Sequence, residues 1–187
     1  MPPATDSIRA FLDYLSHEAA ASPLTIETYQ SDLRNFTAYA EERLGEPFVP
    51  SEGDLDLVRG WLSVKLDEGL KASTVGRCLT SIRSFYRHLL KTGQIKRNPI
   101  QALRPPKAAR PLPVYVPTED MEQMLSEEVD PTDWRAVRDH LILTMLYECG
   151  LRRSEIAGLR DQAVDTTERQ LKVLGKGRKE RIVPFGK

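Results

Sequence analysis

Apolar residues recur every three to four positions through the first hundred residues, and the recurrence is interrupted by short polar or glycine-bearing breaks. Ile8, Phe11, Leu12 and Leu15 share one helical face behind Asp6 or Ser7 as a cap. Pro23 ends the following loop. Thr25 opens a second helix whose stripe is Ile26, Tyr29, Leu33, Phe36 and Ala40, with Gly45 just past its end. Asp54 begins a third, with Leu55, Val58, Leu62 and Leu66 inside. Ser73 or Thr74 caps a fourth, in which Val75, Leu79, Ile82, Tyr86 and Leu89 fall on one side at about 100° per residue. Four amphipathic helices joined by short loops describe a small bundle, and no strand is needed to account for it.

The pattern then changes. Residues 104–117 contain five prolines, which exclude a helix and favour an extended strap. The chain therefore divides into residues 1–104, a linker at 105–117 and a second region at 118–187. Thr118 caps a short helix through Leu125. Asp133 caps a helix over 134–147 that is apolar on almost every face toward its end, the pattern of a helix buried on most sides. Gly150 stops it, Arg153 or Ser154 restarts a helix with Ile156 and Leu159 inside, and Arg152 falls in the turn. Alternation over 163–165, 170–174 and 181–184 then predicts strands. G-K-G-R-K at 175–179 forms the tip of a hairpin with Lys176 on it. The fold class is mainly α, with a small antiparallel sheet in an α+β second region.

Composition narrows the function. The 187 residues are 40% hydrophobic and 29% charged, with zero net charge, so no global field draws the molecule to a polyanion. Two distant cysteines argue against a disulfide framework and fit a reducing cytoplasm. No signal pattern opens the chain, and the longest apolar run is too short to span a membrane. Any basic surface must be local, and one is. Residues 71–110 carry ten lysines and arginines and no acidic residue. On the fourth helix, Arg77, Arg83, Arg87 and Lys91 lie opposite the apolar stripe with Thr80 and Ser84 between them. A solvated face usually mixes both signs. A cationic face with short hydroxyls suits spaced DNA phosphates. Lys71 extends it, and Thr25, Thr28 and Gln30 add hydroxyl and amide groups, unless they only cap the second helix. Arg77 and Arg87 lie off the stripe, so replacing both should leave the fold intact. Lys107 and Arg110 make the strap basic, either as a ligand contact or within a plain stiff spacer. Arg152 either grips a phosphate from its turn or pairs with Glu148 or Glu155. At the hairpin, Arg178, Lys179 and Arg181 crowd around Lys176 with only Glu180 to offset them.

Three stretches share a resemblance. C-G-L-R-R-S-E-I-A-G-L resembles the first-arginine box of the tyrosine recombinases, and V-L-G-K-G-R-K-E-R-I-V-P-F-G resembles their hairpin-lysine box. Residues 70–99 resemble the last helices of their core-binding domain. Among that family, the short Xer-type recombinases look nearest. The resemblance implies a SAM-like, four-helix core-binding bundle followed by the first part of a catalytic domain. It implies duplex DNA as partner, and a tyrosine that attacks a DNA phosphate to leave a 3′-phosphotyrosine without metal or other cofactor. Arg152 matches the arginine that stabilises charge on the phosphate oxygens. Lys176 matches the lysine that protonates the departing 5′-oxygen, and Glu155 matches a bracing acidic residue. Self-association or a hetero-tetramer with a second recombinase on DNA, and contact with a DNA translocase, follow from the same resemblance, as does a nucleoid location. None of the six tyrosines matches the nucleophile and no H-x-x-R box is present. The expectation is thus an N-terminal portion that binds DNA but does not cut it. The rivals are a natural non-catalytic DNA-binding module and a helical protein-interaction adaptor.

Overall fold

The computed structural model describes residues 4–107, 112–175 and 179–186. The chain divides into two units, Met1–Pro111 and Leu112–Lys187.

The first unit is the helical bundle: α1 (Ala4–His17), α2 (Pro23–Leu44), α3 (Leu55–Asp67) and α4 (Ala72–Lys91). The expected stripe of α4 is its core face, since Val75, Leu79, Ile82, Tyr86 and Leu89 are all buried. It packs against α1, α2 and α3. Phe11 of α1 and Leu33, Phe36 and Ala40 of α2 meet it in one apolar cluster. Phe36 stands edge-on to both Trp61 of α3 and Phe48 of the α2–α3 loop, at 5.5 and 5.4 Å between ring centroids. Beyond α4 the chain folds back and buries Ile95, Ile100 and Leu103.

Several local expectations need correction. Asp6 lies inside the first turn of α1, paired with Arg9, and does not cap it. Ser22 caps α2, accepting from the Thr25 backbone N–H at 3.2 Å, because Pro23 occupies the first helical position, where its fixed φ suits the helix. Lys71, not Ser73 or Thr74, precedes α4. Leu66 is exposed; Trp61 takes the core volume expected of it.

The second unit holds α5 (Thr118–Ser126), α6 (Trp134–Tyr147), α7 (Arg153–Ala157), a 3-10 turn (Asp161–Ala163) and strands β1 (Val164–Asp165), β2 (Gln170–Leu174) and β3 (Glu180–Pro184). The strands form an antiparallel sheet in the order β1-β2-β3, with Leu171 opposite Val183 and Val173 opposite Arg181. Leu151, Leu171 and Val173 are its buried centre. Asp133 caps α6, its Oδ1 accepting from the Arg135 and Ala136 backbone. Contrary to expectation, no residue of α6 is buried. Its main packing partners among the described helices and strands are α5 and α7, and Met145 packs against the cluster of Leu151, Leu171 and Val173. Trp134 and Leu141 consequently remain more than half exposed.

Candidate nucleic-acid interface and phosphate-binding turn

Two groups of cationic side chains carry the candidate chemistry, one in each unit. In the first, α4 presents a polar face whose two edges are tethered. At one edge, Arg77 makes a two-point ion pair with Asp32 of α2: Nη1 to Oδ2 at 2.6 Å and Nη2 to Oδ1 at 3.1 Å. Ser81 also donates to Asp32, at 2.5 Å, and the Cys78 thiol lies 3.5 Å from Oδ1. The carboxylate pushes the Arg77 pKa further above its ordinary value, chiefly through that hydrogen bond. Asp32 is buried. The expectation that Arg77 can be replaced freely is therefore wrong, because its loss would strand a buried carboxylate. At the other edge, Arg83 donates to the Leu103 carbonyl.

Between the edges, Arg87 is exposed and forms no ion pair among the described residues, and Lys91 lies over the Tyr14 ring at 4.9 Å. Thr80 donates back to the Gly76 carbonyl, and Ser84 is half-buried. Lys71 is exposed at the start of α4, and Lys107 is exposed beyond it. Thr25 shares its hydroxyl with Ser22 in the α2 cap, and Thr28 is half-buried one turn on. Arg110 lies outside the described residues.

In the second unit, Gly150 ends the α6 segment at φ +58°, a conformation that a side chain would strain. Two residues on, Arg152 forms the N-cap of α7 in extended backbone. Its backbone N–H donates to Glu155 Oε2 at 2.8 Å and its Nη1 to Oε1 at 3.0 Å. Arg181 of β3 grips both oxygens of the same carboxylate at 2.7 and 2.9 Å. Glu155 is buried, while the Arg152 side chain is 69% exposed. Hydrogen bonds from Arg181 and then from the Arg152 backbone hold the Glu155 carboxyl well below the usual range. One carboxylate against two guanidiniums leaves one positive charge over, and the exposed Arg152 presents it. This node can bind an anion from solvent while its own carboxylate stays ionised.

The hairpin is joined to the same node. Gly175 N–H donates to the Lys179 carbonyl at 2.8 Å and closes the loop. A side chain on Gly175 would lie 3.3 Å from Arg181 Nη1 and 3.7 Å from Glu155 Oε1, so the glycine lets the hairpin base approach the ion pair. Lys179 is exposed. Lys176 and Arg178 lie outside the described residues, but Lys176 follows directly on Gly175. The pairing of Arg181 with Glu155 and the role of Asp32 beneath Arg77 were missed by sequence reasoning. Asp32 had a signal: a lone acid three residues after Tyr29 and four before Phe36, on the apolar side of its helix. Arg181 had none beyond its place in a basic hairpin.

Residues 8–93 match the family described as phage integrase, N-terminal SAM-like domain, and residues 115–187 match the phage integrase family. The chain belongs to the tyrosine recombinase family. It is 37% identical over 186 residues to tyrosine recombinase XerC of Pelobacter propionicus, covering 100% of this chain and 61% of that protein. It is 38% identical over 181 residues to tyrosine recombinase XerD of Pseudomonas aeruginosa, covering 96% and 59%. The chain thus spans about three fifths of the length of these curated relatives. The fold resembles that of a lambda integrase dimer bound to a core site, with a TM-score of 0.66 at 16% identity over 98% of this chain and 62% of that one. It also resembles the Tn1549 transposon integrase in complex with circular intermediate DNA, with a TM-score of 0.65 at 19% identity over 96% and 60%. The expected recombinase architecture, a SAM-like bundle and an α+β unit, is what the chain folds into.

Proposed function

We propose that these residues form the DNA-binding and phosphate-gripping portion of a Xer-type, site-specific tyrosine recombinase. The observation that carries this reading is the shared carboxylate of Glu155. Arg152 hangs from it on one side, and Gly175, the residue before Lys176, rests against it on the other. An arginine fixed by its neighbour and a hairpin rooted at the same point can address one scissile phosphate from two directions. Arg152 offers a planar fork to the non-bridging oxygens, whose charge grows as the phosphate becomes five-coordinate. Lys176 supplies a proton to the departing 5′-oxygen. Glu155 positions both and moves no proton, since its low pKa keeps it ionised. The nucleophilic tyrosine is not among these residues, and the bundle contributes affinity through the exposed cations of α4. A lambda integrase dimer on a core site and a lambda integrase tetramer on a Holliday junction, which resemble this fold, support assembly of several copies on DNA.

Covalent trapping on a nicked duplex tests the reading. The chain alone is expected to shift a duplex recombination site but to form no covalent adduct. In a full-length recombinase carrying these residues, Arg152→Ala should retain the shift and lose cleavage by about 100-fold or more. Cleavage at the parent rate in that variant would remove Arg152 from the chemistry.

A further inference from the structure

The Asp32 site is more elaborate than a neutralised core charge requires. A carboxylate has about four lone-pair positions, and donors on α4 occupy all of them: two from Arg77, one from Ser81 and one from Cys78. Asp32 is buried, yet the Arg77 side chain is 45% exposed. Of the five guanidinium N–H groups, two face Asp32 and one lies 3.5 Å from Cys78 Sγ. The Nε–H and the second Nη1–H, on opposite edges of the planar group, have no partner among the described residues. Arg77 stands one turn before Thr80 and two before Ser84, at the margin of the face that holds Arg87 and Lys91. An arginine tail that would otherwise sample many rotamers is held in one.

We propose that Asp32 is a positioning residue for DNA: from beneath α4 it fixes the Arg77 guanidinium so that its exposed edge meets a backbone phosphate. This rests on the reading of α4 as the DNA face. The consequence runs against simple charge counting. Neutralising Asp32 removes a negative charge, and if charge alone mattered it would strengthen binding to a polyanion. If Asp32 acts by holding Arg77, neutralising it releases the side chain and weakens binding.

The test is a mutant cycle on the whole chain, read by fluorescence anisotropy with a mixed-sequence duplex across a salt series. Asp32→Asn should bind about 3- to 10-fold more weakly than the parent, with a salt slope reduced by about 0.9, the value of one lost phosphate contact. Arg77→Met should show the same two changes. The double variant should bind no more weakly than Arg77→Met alone, because Asp32 then has nothing to hold. Equal or tighter binding by Asp32→Asn overturns the proposal, and so does a loss that persists in the Arg77→Met background. If Asp32→Asn does not fold, Ser81→Ala loosens the carboxylate without changing charge, and the same comparison is made with it. Failure of the DNA reading looks different: the parent chain would bind without salt dependence, and Arg87→Ala would bind like the parent.

Discussion

At the residue scale, most consequences arise where a side chain has a partner far away in sequence. Tyr86 is fully buried, and its hydroxyl has no hydrogen-bond partner among the described residues. Burial raises its pKa, so the phenol stays neutral. A buried hydroxyl without a partner costs about 1–3 kcal/mol. Tyr86→Phe is therefore expected to leave stability unchanged or raise it by about 1 kcal/mol. The hydroxyl fills the space beside Gly53, where an added Cβ would collide with it. Gly53→Ala should destabilise by about 1–3 kcal/mol through overpacking. In the Tyr86→Phe background the loss should shrink, and urea denaturation of the four proteins measures the coupling. Additive effects would mean that the two positions do not meet. Arg77 and Arg87 make a second contrast. Both lie off the apolar stripe in sequence, yet only Arg77 has a buried carboxylate beneath it. Arg77→Glu should cost about 2–4 kcal/mol by setting two carboxylates together, whereas Arg87→Glu should change stability by less than about 0.5 kcal/mol. Equal thermal midpoints for the two variants would contradict the pairing. Helical periodicity can find the stripe, but it cannot show which residue of another helix lies under its edge. That is why the pairings of Asp32 with Arg77 and of Arg181 with Glu155 emerge only in three dimensions.

At the scale of elements, the apolar pattern of α4 and the pairing of β2 with β3 were readable because each is local: five buried positions at helical spacing, and two strands close together in the chain. The beginnings of α2 and α4 were less readable, because several residues near each start could serve as caps and the geometry of Pro23 decides one of them. The α6 helix misled in the other direction. Its pattern records a demand for burial that only neighbouring elements can meet, and α5 and α7 leave it partly open. The α1–α4 contact gives a pH prediction. His88 of α4 is buried between Phe11 and Tyr14, 5.4 and 4.8 Å from their ring centroids, and its Nδ1 lacks a partner among the described residues. Burial lowers its pKa below the ordinary 6.5; Lys91 pushes the same way and Glu18 opposes it weakly. The unfolded chain then binds more protons than the folded one as the solution is acidified. The stabilising contribution is complete above about pH 6.5 and is lost as pH falls through the lowered value. His88→Phe should remove that part of the acid sensitivity. Thermal melts from about pH 7.5 to about pH 5 in both proteins, spanning the ordinary histidine range, check it: parallel curves would show that His88 is not held neutral.

At the scale of the whole molecule, the two units differ in how well their cores are closed. The first has a continuous cluster in which Phe11, Phe36, Trp61, Tyr86 and Leu89 are almost wholly removed from water, and the segment after α4 seals it with Ile100 and Leu103. All of these residues lie before Pro111. Burial at roughly 25 cal/mol per Å² of apolar surface gives such a cluster a driving force comparable to the ordering entropy of a small domain. The second unit centres on Leu151, Leu171 and Val173, and leaves Leu112, Val114, Trp134 and Leu141 largely in solvent. Its best-fixed feature is polar, the Glu155 node that ties β3 to α7. The expected outcome is unequal cooperativity. Residues 1–111 expressed alone should unfold in one sharp transition with intact near-ultraviolet circular dichroism from Trp61. Residues 112–187 alone should bind the dye ANS and melt over a broad range, with Trp134 emission already near that of solvent. A dye-silent, sharply melting second fragment would mean that its exposed apolar side chains find cover in solution. A broad transition in the first would mean that its core depends on residues beyond the strap.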